Sequence, residues 1–314
     1  MTAPRVAVII PNWNGAHLLR PCLTSLLAQT YDDLEIIVVD NASHDDSLQM
    51  IATEFPSVRT VALSANGGYA GGCNAGIEQC EAEIVVMLNN DTEAEPDWLA
   101  NLVAGLDRHP EAGMATSRIM LYDQRNILNA AGDIYRSDGT PDSRGVWQPY
   151  GPPFNREAMV FGGSGGALAL RRTMLDEIGL FEAAFFMYCE DVDLSWRAQL
   201  AGYRCVYVPD AVIYHHLSAT GGGALSSYYV GRNTLWTLAR NYPPPLLQRN
   251  WPSIASAQLR IAWQALRSFR GAAARARLRG MLAGLITMHR WRSERRARWR
   301  RARVTADYVK AIMD

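Results

Sequence analysis

Short hydrophobic runs alternate with segments of helical spacing along the first third of the chain. Four segments predict short strands: 5–11, 34–40, 58–63 and 84–88. Of these, 5–11 and 84–88 have the continuous apolar pattern of buried strands. Between them, apolar residues recur every three or four positions over 17–30 and 45–55, which predicts helices. The β-α-β-α-β order predicts an α/β fold with a mostly parallel sheet and right-handed crossovers.

Three of these predicted strands end in polar residues. Asn12 and Asn14 follow the first strand, Asp40 and Asn41 follow the second, and the sequence Asn-Asn-Asp at 89–91 follows the fourth. Carboxyl ends of parallel strands share the edge at which open α/β sheets bind ligands, so one cleft is expected there. The carboxylate of Asp91, with carboxamides beside it, suits Mg²⁺ or Mn²⁺ and the phosphates that such a cation carries. Alternatively, Asp91 caps the helix that begins near residue 96.

A glycine-rich segment at 66–74 precedes a predicted helix over 75–80. Glycines allow close approach of the backbone to a ligand, and a helix N-terminus favours an anion. The spacing matches neither a P-loop nor the dinucleotide-binding G-x-G-x-x-G. The segment therefore predicts either a ligand-binding loop or a flexible turn.

The rest of the first 225 residues continues the α/β pattern. Helices are predicted over 96–109 and 173–178, and strands over 113–121, 129–135, 167–170, 205–208 and 211–214. Segment 136–156 is rich in Gly, Pro, Asp and Ser, which predicts a long surface loop that is either functional or disordered.

Two further clusters carry candidate chemistry. Glu190, Asp191 and Asp193 begin a predicted helix that runs to about residue 202, directly after the aromatic and apolar segment 185–189. Complementarity to the helix dipole explains one or two of these acids, while apolar surroundings suit a general base. His215 and His216 end a predicted strand, where a histidine can complete a metal site, although a lone histidine is more often structural.

Residues 226–314 are predicted to be helical and basic. Helices are expected over 228–239, 252–270 and 272–288, with a break at the three prolines 243–245. Segment 249–314 contains sixteen Arg or Lys residues and three Asp or Glu residues, although the whole chain has zero net charge. Such a basic amphipathic region either lies on an anionic membrane or packs on the catalytic domain, and nothing in the pattern indicates nucleic-acid binding.

Composition restricts the class of protein further. The 314 residues are 48% hydrophobic and 20% charged, as expected for a globular chain. Five cysteines without C-x-x-C spacing argue against a zinc site or a disulfide framework and fit a reducing compartment. The sequence predicts no signal peptide and no transmembrane helix, which indicates a cytoplasmic protein.

Six motifs together resemble the family 2 glycosyltransferases with the GT-A fold, in particular the bacterial rhamnosyltransferase-like branch. They are IIPNWNG at 9–15, VVDNASHD at 38–45, NGGYAGGCNAGI at 66–77, LNNDT at 88–92, GGALALRR at 165–172 and EDVDLSWR at 190–197. The resemblance implies a GT-A catalytic domain over 1–225, with a donor half over 1–92 and an acceptor half over 93–225. An Arg-rich helical region over 226–314 follows it.

The resemblance also implies roles for individual residues. Asp191 is expected to be the catalytic base with Glu190 beside it, and Asp91 and His215, with His216 as the alternative, are expected to hold Mg²⁺ or Mn²⁺. Asn89 replaces the first acid of the D-x-D motif. The residues expected to bind the nucleotide-sugar donor are Pro11, Asn12, Asn14, Asp40, Asn41, Asn66, Gly67, Gly72, Asn74, Asn89 and Asn90. Those expected on the acceptor side are Gly165, Gly166, Trp196 and Arg232.

The implied activity is inverting transfer from dTDP-rhamnose or a UDP-sugar to a hydroxyl of a glycan or lipid-linked acceptor. It would serve cell-surface polysaccharide synthesis at the inner face of the membrane, with peripheral contact through the basic helices. No Q-x-x-R-W motif is evident, which favours addition of one or a few sugars. Two alternatives remain open at this point: a weak or inactive GT-A scaffold at the membrane, and a sugar-phosphate nucleotidyltransferase.

Overall fold

The computed structural model describes residues 3–217 and 222–313. The first third alternates strands and helices as predicted. Its elements are β1 (Val6–Asn12), α1 (Ala16–Leu27), β2 (Leu34–Asp40), α2 (Ser47–Glu54), β3 (Arg59–Ala62), α3 (Gly68–Ile77) and β4 (Ile84–Leu88).

The middle of the chain adds further strands, of 3 to 12 residues, and three helices. They are β5 (Thr92–Ala94), α4 (Trp98–Arg108), β6 (Ala112–Leu121), β7 (Leu128–Ala130), β8 (Asp133–Tyr135), β9 (Pro141–Ser143), β10 (Ala158–Val160), β11 (Ala167–Arg171), α5 (Arg172–Ile178), α6 (Glu190–Ala201) and β12 (Arg204–His215). A 3₁₀ turn, Ala183–Phe185, lies before α6.

The main sheet is mixed but mostly parallel, and it brings the polar strand ends to one edge. Its order is β10-β12-β6-β11-β4-β1-β2-β3, with β5 paired to β12 and β7 paired to β6. Strands β1 to β4 run parallel, β11 is antiparallel to β4 and β6, and β12 is parallel to β6. The ends of β1, β2, β4 and β12 therefore share a rim with the start of β11.

The continuous apolar runs arise because both faces of the sheet are covered. Val8 and Ile10 of β1 belong to the core shared with α1, α2 and α4, whereas Ala7 and Ile9 belong to the core shared with α3, α5 and α6. Alternate residues of a strand point to opposite faces, so a strand between two helical layers is apolar at every position.

Helix α3 begins earlier than predicted. The glycine-rich segment is helical from Gly68 instead of being a loop followed by a helix over 75–80. Its glycines permit close packing, since a Cβ at Gly76 would lie 2.4 Å from Ile9 Cγ2 and one at Gly72 would lie 2.7 Å from Asn41 Nδ2. Tertiary packing thus overrides the low intrinsic helix propensity of glycine.

Two other predictions need correction. The predicted strands 205–208 and 211–214 form one strand, β12, with a register shift against β6 between Val208 and Val212. The predicted strand 129–135 is split into β7 and β8. Segment 136–156 is ordered in the structure, with β9 paired to β8.

The C-terminal helices pack on the α/β part of the chain. They are α7 (Gly223–Asn241), α8 (Pro244–Arg267), α9 (Ala272–Thr287), α10 (Arg292–Arg301) and α11 (Ala306–Ile312). Helix α8 begins within the proline triplet, earlier than predicted, because proline is tolerated in a first helical turn. Helices α7 and α9 approach so closely that a Cβ at Gly280 would lie 2.0 Å from the Tyr228 carbonyl oxygen.

A buried charge cluster joins α6 to these helices. The carboxylate of Asp193 is fully buried, and it accepts hydrogen bonds from Arg197 Nε at 2.9 Å and Asn241 Nδ2 at 2.7 Å. Arg240 and Arg298 lie 3.5 and 3.6 Å from it. Burial alone would raise the pKa of Asp193, but these three arginines outweigh burial and lower it. The basic C-terminal region therefore packs on the α/β part of the chain. This is the second of the two arrangements that the sequence left open.

Candidate active site

A pocket of amides and one buried carboxylate lies where β1, β2 and β4 end. Asn12 Oδ1 accepts a 2.7 Å hydrogen bond from Asn90, and Asn12 Nδ2 donates to Ser47 at 3.0 Å. Asp40 is 1% exposed; its Oδ2 accepts from the Ser43 backbone, while its Oδ1 has no hydrogen-bond partner among the described residues. A buried acceptor without a partner is costly, which makes Asp40 Oδ1 a candidate contact for a ligand N–H group.

The start of α3 forms the neighbouring wall of this pocket. Asn41 bridges to α3, since its Oδ1 accepts from Gly67 N and its Nδ2 donates to the Gly68 carbonyl. Asn66 Oδ1 accepts from Gly68 N at 2.8 Å. A Cβ at Gly72 would lie 3.1 Å from Pro11 Cβ, so these two predicted donor residues are also neighbours.

Asp91 and His215 are brought together by strand pairing. In the antiparallel ladder of β5 and β12, His215 pairs with Thr92, and His216 N donates to the Asp91 carbonyl oxygen. His215 Nε2 consequently lies 3.2 Å from Asp91 Oδ1. Ser218, Ala219 and Thr220, which follow His215 and His216 in the sequence, lie outside the described residues.

The chemistry of this pair suits a cation. His215 Nδ1 lies 2.9 Å from Asn129 Oδ1, an acceptor, so the ring proton of a neutral imidazole belongs on Nδ1 and the Nε2 lone pair faces Asp91. Two electron-pair donors 3.2 Å apart require a proton or a metal ion between them. In the described part of the chain, no group of three or more His, Cys, Asp or Glu side chains forms a metal site. Two protein ligands are nevertheless sufficient for Mg²⁺ or Mn²⁺ when substrate phosphates and water supply the others.

His216, the adjacent alternative, has other contacts. Its ring stacks on Tyr122 with centroids 3.7 Å apart, and its Nε2 lies 3.1 Å from Glu93 Oε1. His215 is therefore the histidine of this pair that faces Asp91.

Asp191 and Glu190 begin α6 in different environments. Asp191 keeps partial solvent access and accepts backbone hydrogen bonds from Gly165 at 2.9 Å and Val192 at 2.8 Å. Burial raises the pKa of Asp191 even though these N–H groups oppose the rise. Glu190 is 5% exposed, and burial followed by the charge of Asp191 raises its pKa well above the ordinary range.

The two glycines of the acceptor-side motif connect Asp191 to the donor rim. The N–H of Gly165 binds Asp191, and the Gly165 carbonyl accepts from the Tyr69 hydroxyl of α3. The Gly166 carbonyl accepts from Asn89 N at 3.1 Å. The candidate base and the Asn-Asn-Asp segment are thus bound to two consecutive residues directly before β11.

The turn before α6 is strained. Phe186, Tyr188 and Cys189 all have positive φ, between 66° and 67°. Met187 N donates to the Phe185 carbonyl, which makes a γ-turn centred on Phe186. Such conformations cost about 1–3 kcal/mol each and persist only where the surroundings hold them.

Residues of α7 and α3 hold this turn. Asn233, which is fully buried, donates to the carbonyls of Phe185, Met187 and Tyr188 at 2.7–3.0 Å. Arg232 donates at 2.9 Å to the carbonyls of Ala184 and Phe185. From the other side, the Phe186 carbonyl accepts from Ala70 N. Arg232 therefore supports the turn before α6 by binding the backbone carbonyls of that turn. The prediction that Arg232 lies on the acceptor side did not include this contact.

Three other predicted residues lie apart from the pocket centre. The side chain of Asn74 accepts a 3.0 Å hydrogen bond from Phe181 N and donates one of 2.8 Å to the Phe181 carbonyl. It therefore holds the segment before α6. Trp196 is fully buried against Tyr135 and Phe161, so its ring supports the core and presents no surface to an acceptor. Asn14 is exposed at the rim and accepts from His44 N at 2.7 Å.

Sequence reasoning missed Asn233 and Asn129. Both are single amides in segments without a distinctive motif, and their roles depend on partners 45 to 86 positions away in the chain. Arg232 and Asn233 lie in the middle of a predicted helix, but nothing in the sequence indicates which backbone groups they bind.

Comparison with known proteins now identifies the family. The family model described as "Glycosyl transferase family 2" matches residues 7–179, more than half of the chain. The chain belongs to glycosyltransferase family 2. The match ends before Asp191 and His215.

Two curated relatives show what the sequence is similar to. One is an uncharacterised protein of Sinorhizobium fredii, 30% identical over 70% of this chain, and the match spans 25% of that relative's length. Another is the N-acetylglucosaminyl-diphospho-decaprenol L-rhamnosyltransferase of Mycobacterium tuberculosis, 30% identical over 66% of this chain and 74% of the relative.

A solved structure with a similar fold is a mannosyltransferase from Pyrobaculum calidifontis in complex with GDP-Man and Mn²⁺. It superposes with a TM-score of 0.58 at 21% identity and covers 99% of this chain and 89% of its own. The likeness extends over the C-terminal helices as well as the sheet. The predicted GT-A fold, a mostly parallel α/β sheet with a helical C-terminal region, is confirmed.

Proposed function

We propose that this protein transfers a sugar from a nucleoside-diphosphate sugar to an acceptor hydroxyl, with inversion at the anomeric carbon. The observation that carries the proposal is the link from Asp191 through Gly165 and Gly166 to Asn89, which sets a candidate base beside a candidate donor rim. Family membership supports sugar transfer as the reaction class. The proposed division of labour assigns residues 1–92 to the donor and 93–225 to the acceptor.

Asp191 is the proposed general base. A sugar hydroxyl is a weak nucleophile, so a carboxylate must take its proton as the oxygen attacks the anomeric carbon. Asp191 suits this role because it is partly open and its orientation is fixed by two backbone N–H groups. Glu190 is buried, and its raised pKa favours the neutral form, so it is the proposed neighbour and not the base. A single displacement without a protein nucleophile inverts the anomeric centre.

Asp91 and His215 are the proposed ligands of Mg²⁺ or Mn²⁺. When bound, such a cation supplies Lewis-acid stabilisation of the charge that develops on the departing diphosphate. Asp91 contributes the anionic ligand, and His215 contributes a nitrogen whose orientation is fixed by Asn129. The backbone N–H of Asn89, two residues before Asp91, donates to the Gly166 carbonyl and so fixes the start of this segment.

The proposed donor is dTDP-rhamnose or a UDP-sugar. The open acceptor Asp40 Oδ1 suits the imide N–H of thymine or uracil, which both bases present to a carboxylate. The name of the mycobacterial relative supports a rhamnosyl donor and a lipid-linked acceptor. Poly-β-1,6-N-acetyl-D-glucosamine synthases of Staphylococcus are also similar, at 24–25% identity, which supports a role in cell-surface polysaccharide synthesis.

We further propose peripheral contact with the inner face of the membrane. In the described part of the chain, no helix is both long and apolar enough to cross a bilayer. The outer surfaces of α8 and α9, and the turn between them, carry large apolar side chains that are 51–70% exposed: Trp251, Leu259, Trp263, Leu266, Phe269, Leu282, Leu285 and Ile286. Arginines alternate with these side chains, as in helices that lie on anionic lipid.

The decisive experiment measures thermal stabilisation by UDP, dTDP, GDP and ADP, each with Mn²⁺, Mg²⁺ or EDTA. A ligand that binds the native state raises the melting temperature by mass action. We expect UDP or dTDP to stabilise the wild type only with metal, and Asp91→Ala to lose that effect. The matched control, His216→Ala, should keep it. Stabilisation by no nucleotide under any condition would contradict the proposal and favour a scaffold without donor binding.

A further inference from the structure

A second cleft lies among the C-terminal helices. Its volume is about 420 Å³, and it is bounded by α7, α8, α9 and the residues beside β9. Its polar lining consists of one arginine, three hydroxyl groups and one carboxamide: Arg277, Thr140, Ser227, Thr234 and Gln264. In the described part of the chain, the residues that line it are distinct from those assigned above to the donor and the metal.

Arg277 is the unusual member of this cleft. It is half-buried, and no described acid forms an ion pair or hydrogen bond with it. By contrast, Arg197, Arg240 and Arg298 all share the carboxylate of Asp193. Burial lowers the pKa of Arg277, which reflects the cost of a cation without a counter-ion. A half-buried guanidinium that faces a polar cleft is the kind of group that an anion stabilises.

The cleft lies against the turn before α6. Thr234 of the cleft lining is adjacent to Asn233, which binds the Tyr188 carbonyl at 2.7 Å. Burial, followed by the charges of Asp191 and Glu190, raises the pKa of the Cys189 thiol, while Thr234 and Arg277 oppose this rise. Cys189 directly precedes Glu190 and Asp191. A ligand held by Arg277 is therefore close to the residues that would activate an acceptor hydroxyl, on the side of the turn that faces α7 and α9.

We propose that this cleft binds a phosphate or diphosphate group of the acceptor. Phosphate oxygens accept hydrogen bonds, and the lining supplies the guanidinium of Arg277, the Ser227 hydroxyl and the Gln264 amide N–H. The hydroxyls of Thr140 and Thr234 already donate to Asp138 and to the Val230 carbonyl. The exposed Trp263 and Leu266 of α8 provide an apolar surface nearby for a lipid chain attached to that phosphate. The assignment to the acceptor rests on the proposed function, whereas the anion site itself rests on the cleft.

The test is a calorimetric titration of the full chain with geranyl diphosphate in EDTA, which removes metal-dependent binding at the donor rim. Wild type should bind, and Arg277→Gln should weaken binding by about tenfold or more, as for the loss of a charge-assisted hydrogen bond. Arg277→Lys, which keeps the charge, should retain much of the affinity and shows that the site tolerates substitution. The matched control is Arg279→Gln, an exposed arginine two positions away on α9.

Two further probes identify the source of the anion. Binding of inorganic pyrophosphate as tight as that of geranyl diphosphate, and equally dependent on Arg277, would support the anion site and assign it to free phosphates. Much weaker binding of pyrophosphate would support a lipid-linked acceptor. Equal binding of geraniol, which lacks the phosphates, or unchanged affinity in a folded Arg277→Gln variant, would overturn the proposal.

The failure of this inference is distinguishable from failure of the proposed function. If nucleotides stabilise the protein in the presence of metal but geranyl diphosphate does not bind, the cleft assignment alone is wrong. If geranyl diphosphate binds through Arg277 while no nucleotide binds, the donor assignment is wrong and the anion site stands.

Discussion

The side-chain amide of Asn233 donates a 2.7 Å hydrogen bond to the carbonyl oxygen of Tyr188, two residues before Glu190. The same amide also holds the carbonyls of Phe185 and Met187, so one side chain fixes the strained turn that carries the proposed base. Helix α7 therefore holds the backbone of the turn that precedes Glu190 and Asp191.

The first prediction concerns this clamp. Asn233→Ala should lower kcat by about tenfold to a hundredfold with a small change in donor KM, because the base is displaced while the donor pocket is intact. The Met187 and Tyr188 carbonyls lose this donor, while the Phe185 carbonyl keeps its bonds from Arg232 and Met187 N, and the fold should be destabilised by about 1–3 kcal/mol. Steady-state kinetics and chemical denaturation measure both effects.

Asn250→Ala is the matched control for Asn233. Asn250 is an amide of the same region that donates to the Tyr242 hydroxyl at 2.7 Å, away from the turn. The kcat of this control should equal that of the wild type. An Asn233→Ala variant that loses stability yet keeps its kcat would show that the clamp supports only the fold.

The second prediction concerns the pH dependence of transfer. The base must be ionised, and burial raises the pKa of Asp191, so kcat/KM should fall on the acid side at a pH above the ordinary aspartate value of about 4. The charge of Asp191 raises the pKa of Glu190, which places the ionisation of Asp191 first. Glu190→Gln should therefore leave the acidic limb in place, and Asp191→Asn should abolish transfer. An acidic limb at the ordinary aspartate value would exclude Asp191 as a base with a raised pKa.

The third prediction concerns metal ligation. His215→Ala should raise the Mn²⁺ concentration required for nucleotide binding by about tenfold to a hundredfold, since an oriented nitrogen facing Asp91 is lost. The adjacent His216→Ala should leave that concentration unchanged, because His216 is bound to Glu93 and stacked on Tyr122. Calorimetric titration of UDP or dTDP at several Mn²⁺ concentrations distinguishes the two. Equal effects of both variants would remove the assignment of His215.

The fourth prediction concerns stability. Asp193→Asn should destabilise the protein by about 3–5 kcal/mol at pH 7, because it leaves the buried Arg197 without a counter-ion. Arg240 also loses this acid, although it keeps its ion pairs with Glu182 and Glu294. The folded-state pKa of Asp193 is lowered, so its stabilisation is present above the unfolded value of about 3.9 and is lost as the pH falls through the folded value. The variant should therefore lose less stability on acidification than the wild type. Urea denaturation at neutral pH and at a pH below the unfolded value measures this, with the exposed Asp176→Asn as control.

The fifth prediction concerns lipid binding. The protein should sediment with vesicles rich in phosphatidylglycerol and remain in solution with phosphatidylcholine alone, and added salt should weaken the binding. Replacing Trp263 and Leu266 with serine should reduce partitioning by about tenfold or more, since each buried apolar side chain contributes about 1.5–3 kcal/mol. Leu48→Ser, which changes an exposed leucine of α2, is the control. No sedimentation of the wild type with anionic vesicles would contradict the proposed membrane contact.

The sequence predicted the parallel half of the sheet well. Residues 6–10 of β1, 36–39 of β2 and 84–88 of β4 are all apolar because helices cover both faces, and few other arrangements of a short strand produce this pattern. The meeting of Asn12, Asp40 and Asn90 at one edge followed from strand direction alone.

Other features depended on contacts that pattern analysis does not contain. Gly72 was assigned to the glycine-rich loop, whereas the close approach of α3 to β1 requires it inside a helix. Trp196 lies in a motif with functional residues, but its ring faces the core because it follows Asp191 by five positions on α6 and points away from the rim. The anion cleft at Arg277 arises from four segments far apart in the chain and leaves no local signature.

The glycine contacts between α7 and α9 bear on how acceptor preference could be exchanged among relatives. A methyl group at Gly280 would meet the Tyr228 carbonyl oxygen, and one at Gly231 would lie 2.7 Å from the Arg277 carbonyl oxygen. The short distance between these two helices consequently depends on glycine at both positions. A chimera that imports α9 alone would force them apart, whereas one that imports α7 and α9 as a unit keeps the interface and carries both walls of the cleft with it.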